Sequence, residues 1–228
     1  MPVIDLAVTP MRKLNAALHA LSQDTNETYW EIRNPEGRHA LAVGLDAPIT
    51  VKIAGHAGYY CGGMNAKATI IVEGNVGVGV GENMMSGEIR VAGDASQSAG
   101  ATGHGGLLVI EGNAAARCGI SMKGIDIVVK GSIGHMSAFM AQEGNLVVLG
   151  DAGEALGDSI YEARLFVRGG VKSLGADCIE KRLTSEDEAI LASLLERAGC
   201  ADAPLGEFRL YGSARRLYHF HVDNVDAY

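Results

Sequence analysis

A pair of aliphatic residues separated by a single residue recurs every nineteen positions along the middle of the chain. The seven pairs are Val51/Ile53, Ile70/Val72, Ile89/Val91, Leu108/Ile110, Ile127/Val129, Leu146/Val148 and Leu165/Val167. Because alternate residues of a strand point to the same face, each pair predicts a short strand with one buried face. Seven equal repeats of such a strand predict a solenoid, since one unit can bury its apolar face only by stacking on its neighbours.

Glycines recur with the same period and predict where each coil turns. One glycine follows every aliphatic pair, and we interpret it as ending the strand in a turn: Gly55, Gly74, Gly93, Gly112, Gly131, Gly150 and Gly169. Seven residues further on, a second position indicates a tight corner and is occupied by Gly62, Gly81, Gly100, Gly119, Ala138, Gly157 and Ala176.

Stacking of these coils predicts a specific architecture. Equivalent strands of neighbouring coils would pair at ~4.8 Å in a parallel sheet, so seven coils would form a rod on the order of 30 Å long. The fold class that we predict is an all-β solenoid, a right-handed single-stranded parallel β-helix of about seven coils of 19 residues. The left-handed hexapeptide-repeat helix is disfavoured because its coil length is a multiple of six, and the right hand follows the usual crossover preference.

The flanking segments are expected to cap the two ends, because open coils expose unpaired strand edges. Residues 1–48 predict a helix that begins at Thr9 and Pro10, followed by a hairpin built from residues 29–33 and 38–43. Residues 49–178 form the repeat. Residues 179–228 predict a second helix and a tail. This second helix begins at Thr184 or Ser185, carries Leu191, Leu194 and Leu195, and ends at Gly199.

The residue between the two members of each aliphatic pair must point outward. In chain order these residues are Lys52, Ile71, Arg90, Val109, Val128, Val147 and Phe166. The last four are apolar and form what we call the apolar stripe, Val109, Val128, Val147 and Phe166. Solvated strands place polar groups outside, so the stripe should be covered. The sequence favours the chain's own second helix as the cover, and the alternative is an interface with a partner subunit.

Composition narrows the functional classes. The net charge is −8 and no basic stripe is present, which argues against nucleic-acid binding. Four widely spaced cysteines without a C-x-x-C motif suit reduced thiols in the cytoplasm. Asp5 interrupts the first apolar run, and no run of apolar residues is long enough to span a membrane, so we expect neither a signal peptide nor a membrane anchor.

Several candidate chemical motifs have structural interpretations that fit the repeat better. The run from Gly77 to Gly81 lacks the third glycine and the following helix of a dinucleotide fingerprint, which favours a solenoid corner. His219, His221 and Asp223 alternate as metal ligands can, but no further ligand completes a set.

The remaining histidines and methionines also give no indication of a chemical site. His56, His104 and His135 occupy different positions of the repeat and form no column. Met84, Met85, Met122, Met136 and Met140 are expected to fill gaps in the core. We therefore assign no catalytic, cofactor-binding or metal-binding residue to this chain.

The repeated strand ends V72-E-G-N75, V91-A-G-D94, I110-E-G-N113 and V148-L-G-D151, with their Gly-x6-Gly corners, resemble the GXGXG domain that closes the large subunit of glutamate synthase. The same domain occurs in one subunit of formylmethanofuran dehydrogenase. The resemblance covers residues 40–178. With its tail from Arg215 to Asp223, the chain is most similar to the free-standing GXGXG subunit of N-methylglutamate synthase.

This resemblance implies a scaffold in a complex of three kinds of chain. The partners would be a class II amidotransferase-like subunit and a glutamate synthase-like subunit that binds FMN and an iron–sulfur cluster. The complex would convert methylamine and L-glutamate into N-methylglutamate and ammonia. The catalytic groups and cofactors would lie on the partner chains, with none on this one.

Two alternatives remain. The chain could be the equivalent scaffold of a formylmethanofuran dehydrogenase or formyltransferase/hydrolase complex. A stand-alone β-helix enzyme acting on carbohydrates would instead need paired carboxylates on one coil face. Asp94 and Asp151 occupy equivalent positions three coils apart, roughly 14 Å by strand spacing, which is too far for that chemistry.

Overall fold

The computed structural model of the protein describes residues 1–215, which form a parallel β-solenoid. Its eleven strands make one sheet in the order β1-β2-β3-β4-β5-β6-β7-β8-β9-β11-β10. The strands are β1 (Val3–Asp5), β2 (Tyr29–Arg33), β3 (Thr50–Ala54), β4 (Thr69–Val72), β5 (Glu88–Val91), β6 (Leu107–Ile110), β7 (Lys123–Val129), β8 (Glu143–Val148), β9 (Arg164–Val167), β10 (Cys178–Lys181) and β11 (Arg209–Ser213). Two α-helices, α1 (Met11–His19) and α2 (Ser185–Arg197), and a 3-10 turn at Leu205–Glu207 complete the described part.

The seven repeated strands stack in the predicted register. Strands β3 to β9 pair in parallel, and each inward residue aligns with its equivalent nineteen positions away, except that β7 carries an irregularity before Asp126. Both inward columns are completely buried, from Val51 to Leu165 and from Ile53 to Val167. The prediction of about seven coils around an aliphatic core is therefore confirmed.

The corner of each coil is built from residues with left-handed backbone geometry at alternate positions. In one coil these are Tyr60, Gly62 and Met64, with φ values of 60°, 64° and 54°. Their N–H groups bond alternately to the following and the preceding coil, as when Tyr60 donates to the carbonyl of Val78 and Gly62 donates to that of Leu41. This pairing satisfies the backbone of the corner, which explains why an irregular segment can stack as regularly as the strands.

The glycine after each strand is required by close packing between coils. Of the seven, only Gly55 has a positive φ, so a left-handed turn does not account for the series. A Cβ added to Gly131 would lie 2.5 Å from Oδ1 of Asn113 and 2.7 Å from the carbonyl oxygen of Gly112. The nineteen-residue glycine repeat thus marks where successive coils approach too closely for any side chain.

The predicted N-terminal hairpin is wrong. Strand β2 pairs in parallel with β3, aligning Trp30 with Val51 and Ile32 with Ile53, and it also pairs in parallel with β1. Residues 38–43 form no strand, and the N–H of Ala40 bonds to the carbonyl of Tyr59 as in the later corners. Residues 29–48 are therefore a further coil. Its spacing of 21 residues, rather than 19, separates it from the repeat in the sequence.

Helix α1 covers the N-terminal end of this first coil. Leu14 and Leu18 are buried against the core, as the apolar face of the helix predicts. The side chain of Asn15 donates to the carbonyl of Ala40 at 2.8 Å and accepts the N–H of Ala42 at 3.2 Å. The cap therefore replaces bonds that another coil would supply. The helix begins at Met11, with no side-chain bond from its N-cap residue Pro10, so the predicted capping role of Thr9 is wrong.

The C-terminal end closes differently, with antiparallel strands. Strand β11 inserts between β9 and β10, and Leu210 aligns with Phe166. Between β10 and β11 the chain forms α2, whose N-terminus carries a reciprocal capping box of Thr184 and Asp187. The open edge of the last parallel strand is therefore paired by a segment that lies more than forty residues later in the chain.

Candidate functional site

The apolar stripe is covered by the protein's own helix. The four stripe residues have no exposed surface. They pack with Leu191, Leu194 and Leu195 of α2 in a second apolar core outside the solenoid, which we call the outer core. The prediction that the C-terminal helix covers the stripe is confirmed. The alternative, in which the four stripe residues form an interface for a partner subunit, is wrong because the same surface is already occupied.

Helix α2 has the length and the charges that this position requires. Thirteen residues give a helix of about 20 Å, and the distance from β9 to β5 is four strand spacings, about 19 Å. At its start, Nε of Arg164 contacts Oδ1 of Asp187 at 3.1 Å. At its end, Nη1 of Arg197 contacts Oδ2 of Asp126 at 3.0 Å, and Arg90 donates to the carbonyl of Arg197. Polar contacts therefore hold both ends of α2 over the outer core.

A ladder of side chains follows the glycine series along the outside of the solenoid. In each coil the residue after the glycine accepts the backbone N–H of its equivalent in the next coil, at 2.7 to 3.0 Å. The members of this polar ladder are His56, Asn75, Asp94, Asn113, Ser132 and Asp151, and its last donor is Gly170. Asp94 and Asp151 are thus engaged in coil-to-coil bonds, in keeping with their exclusion as paired catalytic carboxylates.

The glycine-rich run from Gly77 to Gly81 is part of a corner. Its N–H groups bond to neighbouring coils: Gly77 to the carbonyl of Ala57, Gly79 to that of Gln97 and Gly81 to that of Cys61. A dinucleotide site needs such groups free to face a pyrophosphate. The structure supports the interpretation of this run as a solenoid corner.

Burial makes the cysteines poor nucleophiles and poor metal ligands. It raises the pKa of Cys61 and of Cys118 to about 12, and that of Cys178 to about 11. The thiolate is the reactive and metal-binding form, so these thiols stay protonated at neutral pH. Within residues 1–215, no group of three or more His, Cys, Asp or Glu side chains is arranged to hold a metal ion. His219, His221 and Asp223 lie outside the described residues.

The five methionines predicted to fill gaps in the core differ in burial, and Met136 is partly buried. Met84 and Met122 are completely buried and fill the core as predicted, whereas Met85 and Met140 are each 50% exposed, so the gap-filling interpretation is wrong for them. Met64, which has the same repeat position as Met140 four coils earlier, is 46% exposed. Met64, Met85 and Met140 form what we call the corner surface. Flexible, polarisable methionine side chains on a surface are typical of adaptable protein contacts.

A cavity of about 560 Å³ opens at the C-terminal end of the solenoid, and we call it the C-terminal cavity. Its lining residues come from the last coils and from the segments around β10, α2 and β11. The charged side chains that line it are Glu143, Glu162, Arg164, Lys181, Arg182 and Asp187. Sequence reasoning missed this cavity, because its walls are up to seventy residues apart and no local motif joins them.

Comparison with known proteins identifies a relative that matches the chain over its full length. No family model matches the chain. Protein GlxC of Rhizobium meliloti (strain 1021) is 64% identical over 228 residues, covering the whole of both chains. This similarity is consistent with the resemblance to a free-standing GXGXG subunit. Neither helix of the described residues is long and apolar enough to cross a membrane.

Proposed function

The chain belongs to the GlxC family, and from this premise we propose that it is a non-catalytic scaffold subunit of a glutamate synthase-like enzyme complex. One observation carries the proposal: the residues that most resembled catalytic or cofactor-binding groups in the sequence have structural roles within the coils. The ladder carboxylates accept backbone N–H groups, the glycine-rich run bonds to adjacent coils, and the most buried thiols are held protonated. A chain whose candidate chemical groups all have structural roles is suited to holding other subunits in position.

The most specific form of the proposal is N-methylglutamate synthase. In this complex, methylamine and L-glutamate yield N-methylglutamate and ammonia. The class II amidotransferase-like subunit and the subunit with FMN and an iron–sulfur cluster supply the chemistry, and this chain holds them in place. A cytoplasmic location is part of the proposal, supported by four cysteines that form no disulfide in the described part of the chain.

The corner surface is where we place a partner. The apolar stripe is covered by α2 and is not available for docking. Met64, Met85 and Met140 leave large apolar side chains in solvent near the corners of the coils. A partner that buries them gains roughly 25 cal/mol for each Å² of apolar surface removed from water.

Purification of the native complex tests the scaffold role. The chain is tagged in its own host, isolated under mild conditions and analysed by native mass spectrometry and absorption spectroscopy. We expect two further subunits, with flavin and iron–sulfur absorption that stays with them when the complex is dissociated. Recovery of the tagged chain alone, or of flavin bound to this chain, would contradict the proposal.

Substitution of the corner surface tests where the partner docks. Replacing Met85 and Met140 together by Asp should reduce recovery of a partner at least tenfold without changing the melting temperature of the isolated chain, because both side chains already face solvent. Val8, which is 82% exposed near the N-terminus, provides the control when it is replaced by Asp. Equal recovery from the double variant and the control would exclude the corner surface.

A further inference from the structure

A partly exposed apolar patch lies on two neighbouring corners of the solenoid, between β6 and β7 and between β7 and β8. Its members are Ile120, Met136, Phe139 and Met140, and we call it the phenylalanine patch. None of the four belongs to the solenoid core or to the outer core. Phe166 and Phe208 are buried in the outer core, and Phe139 differs from both in being partly exposed.

Stacking of the coils brings the members of the patch together. Ile120 and Phe139 have equivalent repeat positions nineteen residues apart, which places them about one strand spacing, ~4.8 Å, from each other. The N–H of Ser121 donates to the carbonyl of Phe139 at 2.8 Å, and the N–H of Arg117 donates to that of His135 at 3.0 Å. The two corners are therefore in direct contact, and their outward side chains belong to one surface.

Two cations flank the patch. Arg117 lies three residues before Ile120, and Lys123 lies three residues after it. Both cations are exposed, and neither takes part in an ion pair among residues 1–215. Glu143 aligns with Lys123 across β7 and β8, but no ion pair joins the two side chains. Both positive charges are therefore available to a partner.

Acidic side chains are scarce around these cations, although the whole chain has a net charge of −8. From Ala95 to Ile125 the sequence contains a single acidic residue, Glu111. Its carboxylate is 2.8 Å from Nζ of Lys130, so it is already paired. The surface around the patch is thus locally positive on a protein that is negative overall.

The carboxylates of the next coil are also engaged within the chain. Glu154 pairs with Lys172 at 2.8 Å. Asp158, which has the repeat position of Phe139 one coil later, accepts hydrogen bonds from the hydroxyl of Ser159 and the N–H of Ala176. These contacts leave an apolar centre with two unpaired positive charges beside it.

We propose that the phenylalanine patch docks a segment of a partner subunit in which an apolar side chain is flanked by carboxylates. The apolar side chain covers Phe139, and the carboxylates pair with Arg117 and Lys123. Aromatic residues, methionine and arginine are enriched at protein interfaces, and complementary charges set the specificity and the rate of association. A nucleic acid or an anionic membrane would need a larger basic area than two charges.

This inference rests on the proposed scaffold role and names the chemistry of the partner. Met140 belongs both to the corner surface and to the phenylalanine patch, so the two surfaces are continuous. The patch adds what the exposed methionines alone do not give, which is an aromatic centre and a charge pattern that selects one kind of partner segment.

Photo-crosslinking in the native complex tests the occupant. Phe139 is replaced by p-benzoyl-phenylalanine in the tagged chain, the complex is isolated and illuminated, and the crosslinked peptide is identified by mass spectrometry. We expect a peptide of a stoichiometric partner subunit with acidic residues on both sides of the crosslinked position. The same photoreactive group at the exposed Val8 is the control and should not capture this peptide. A captured peptide without acidic residues, or no crosslink from position 139 in an intact complex, would overturn the proposal.

Charge reversal tests the two cations. The double variant Arg117→Glu and Lys123→Glu should reduce recovery of this subunit at least about tenfold, because like charges then face each other. Arg12→Glu with Lys13→Glu is the matched control, since it makes the same change in net charge on exposed residues of α1. All four positions are exposed, so both double variants should melt at the temperature of the original chain.

The outcomes separate this proposal from the scaffold role. Replacing the flanking carboxylates of the partner segment by lysine should restore recovery with the double variant of Arg117 and Lys123. Equal recovery with the two double variants would overturn the phenylalanine patch as the docking site and leave the scaffold role intact. Recovery of no further subunit by the original chain would overturn both.

Discussion

The protein has two apolar cores that differ in how the sequence specifies them. The solenoid core repeats every nineteen residues, and every coil contributes the same two inward positions. The outer core forms only where four outward positions are apolar and α2 lies across them. The solenoid core is a property of the repeat, whereas the outer core depends on one segment added to the repeat. Damage to the repeat should therefore be global, whereas damage to the outer core should be local.

The largest effect is expected from a charge in the solenoid core. Ile110→Asp would place an unpaired carboxylate in a fully buried column, at a cost of several kcal/mol against a total stability of about 5–15 kcal/mol. We expect no cooperative thermal transition and loss of the β signal in circular dichroism. A folded variant with a normal transition would show that the two columns are less tightly coupled than the repeat implies.

A charge in the outer core should instead release one helix. Val147→Lys puts an ammonium group under Leu191 and Leu194, so α2 should undock while the solenoid stays folded. Hydrogen exchange should accelerate at least a hundredfold in α2 and remain slow in β3 to β6. Ile71→Lys is the control, because Ile71 has the equivalent outward position on β4 but is not part of the outer core. Faster exchange throughout the chain would show that the two cores unfold together as one cooperative unit, contrary to this account.

A methyl group between two coils should have an intermediate effect. Gly131→Ala would force its Cβ against Asn113 and the carbonyl of Gly112, and overpacking of this kind costs about 1–3 kcal/mol. Chemical denaturation should show this loss with an unchanged slope. Gly206→Ala is the matched control, since an added Cβ there meets no atom within 4 Å. Equal stability of both variants would mean that the glycine series is not explained by coil spacing.

The smallest effect is expected from an exposed charge at the end of α2. Arg197→Ala removes the contact with Asp126, but the arginine side chain is 47% exposed and such pairs contribute about 0–1 kcal/mol. The midpoint of denaturation should shift by no more than this amount. A larger loss confined to α2 would mean that the polar contacts, rather than the leucines, hold the outer core together.

The sequence predicts the solenoid well because its signal is regular. Two inward residues per coil and one glycine at fixed spacing identify strand, corner and stacking together, and the leucines of α2 match the apolar stripe. The repeat does not predict the first coil, because its spacing is 21 residues and Tyr29–Arg33 therefore resembles one arm of a hairpin. The right hand of the helix stays a prediction from crossover preference.

The parts that sequence reasoning could not predict depend on contacts between coils. Gly131 is glycine because Gly112 lies against it, a reason that no single repeat contains. Met84 and Met85 are adjacent, yet Met84 is completely buried and Met85 is 50% exposed. The C-terminal cavity combines Glu143 with Lys181 and Arg182, which only the insertion of β11 brings together.

The most direct test of the scaffold role replaces three exposed histidines of the coils in the assembled complex. The triple variant His56→Asn, His104→Gln and His135→Gln keeps an acceptor in the polar ladder at position 56, where asparagine serves in the next coil. General acid–base groups contribute about 10²–10⁴-fold to a rate. We predict that the purified complex retains its subunits, its flavin and its turnover number within twofold. A hundredfold loss of turnover in a fully assembled complex would contradict the account.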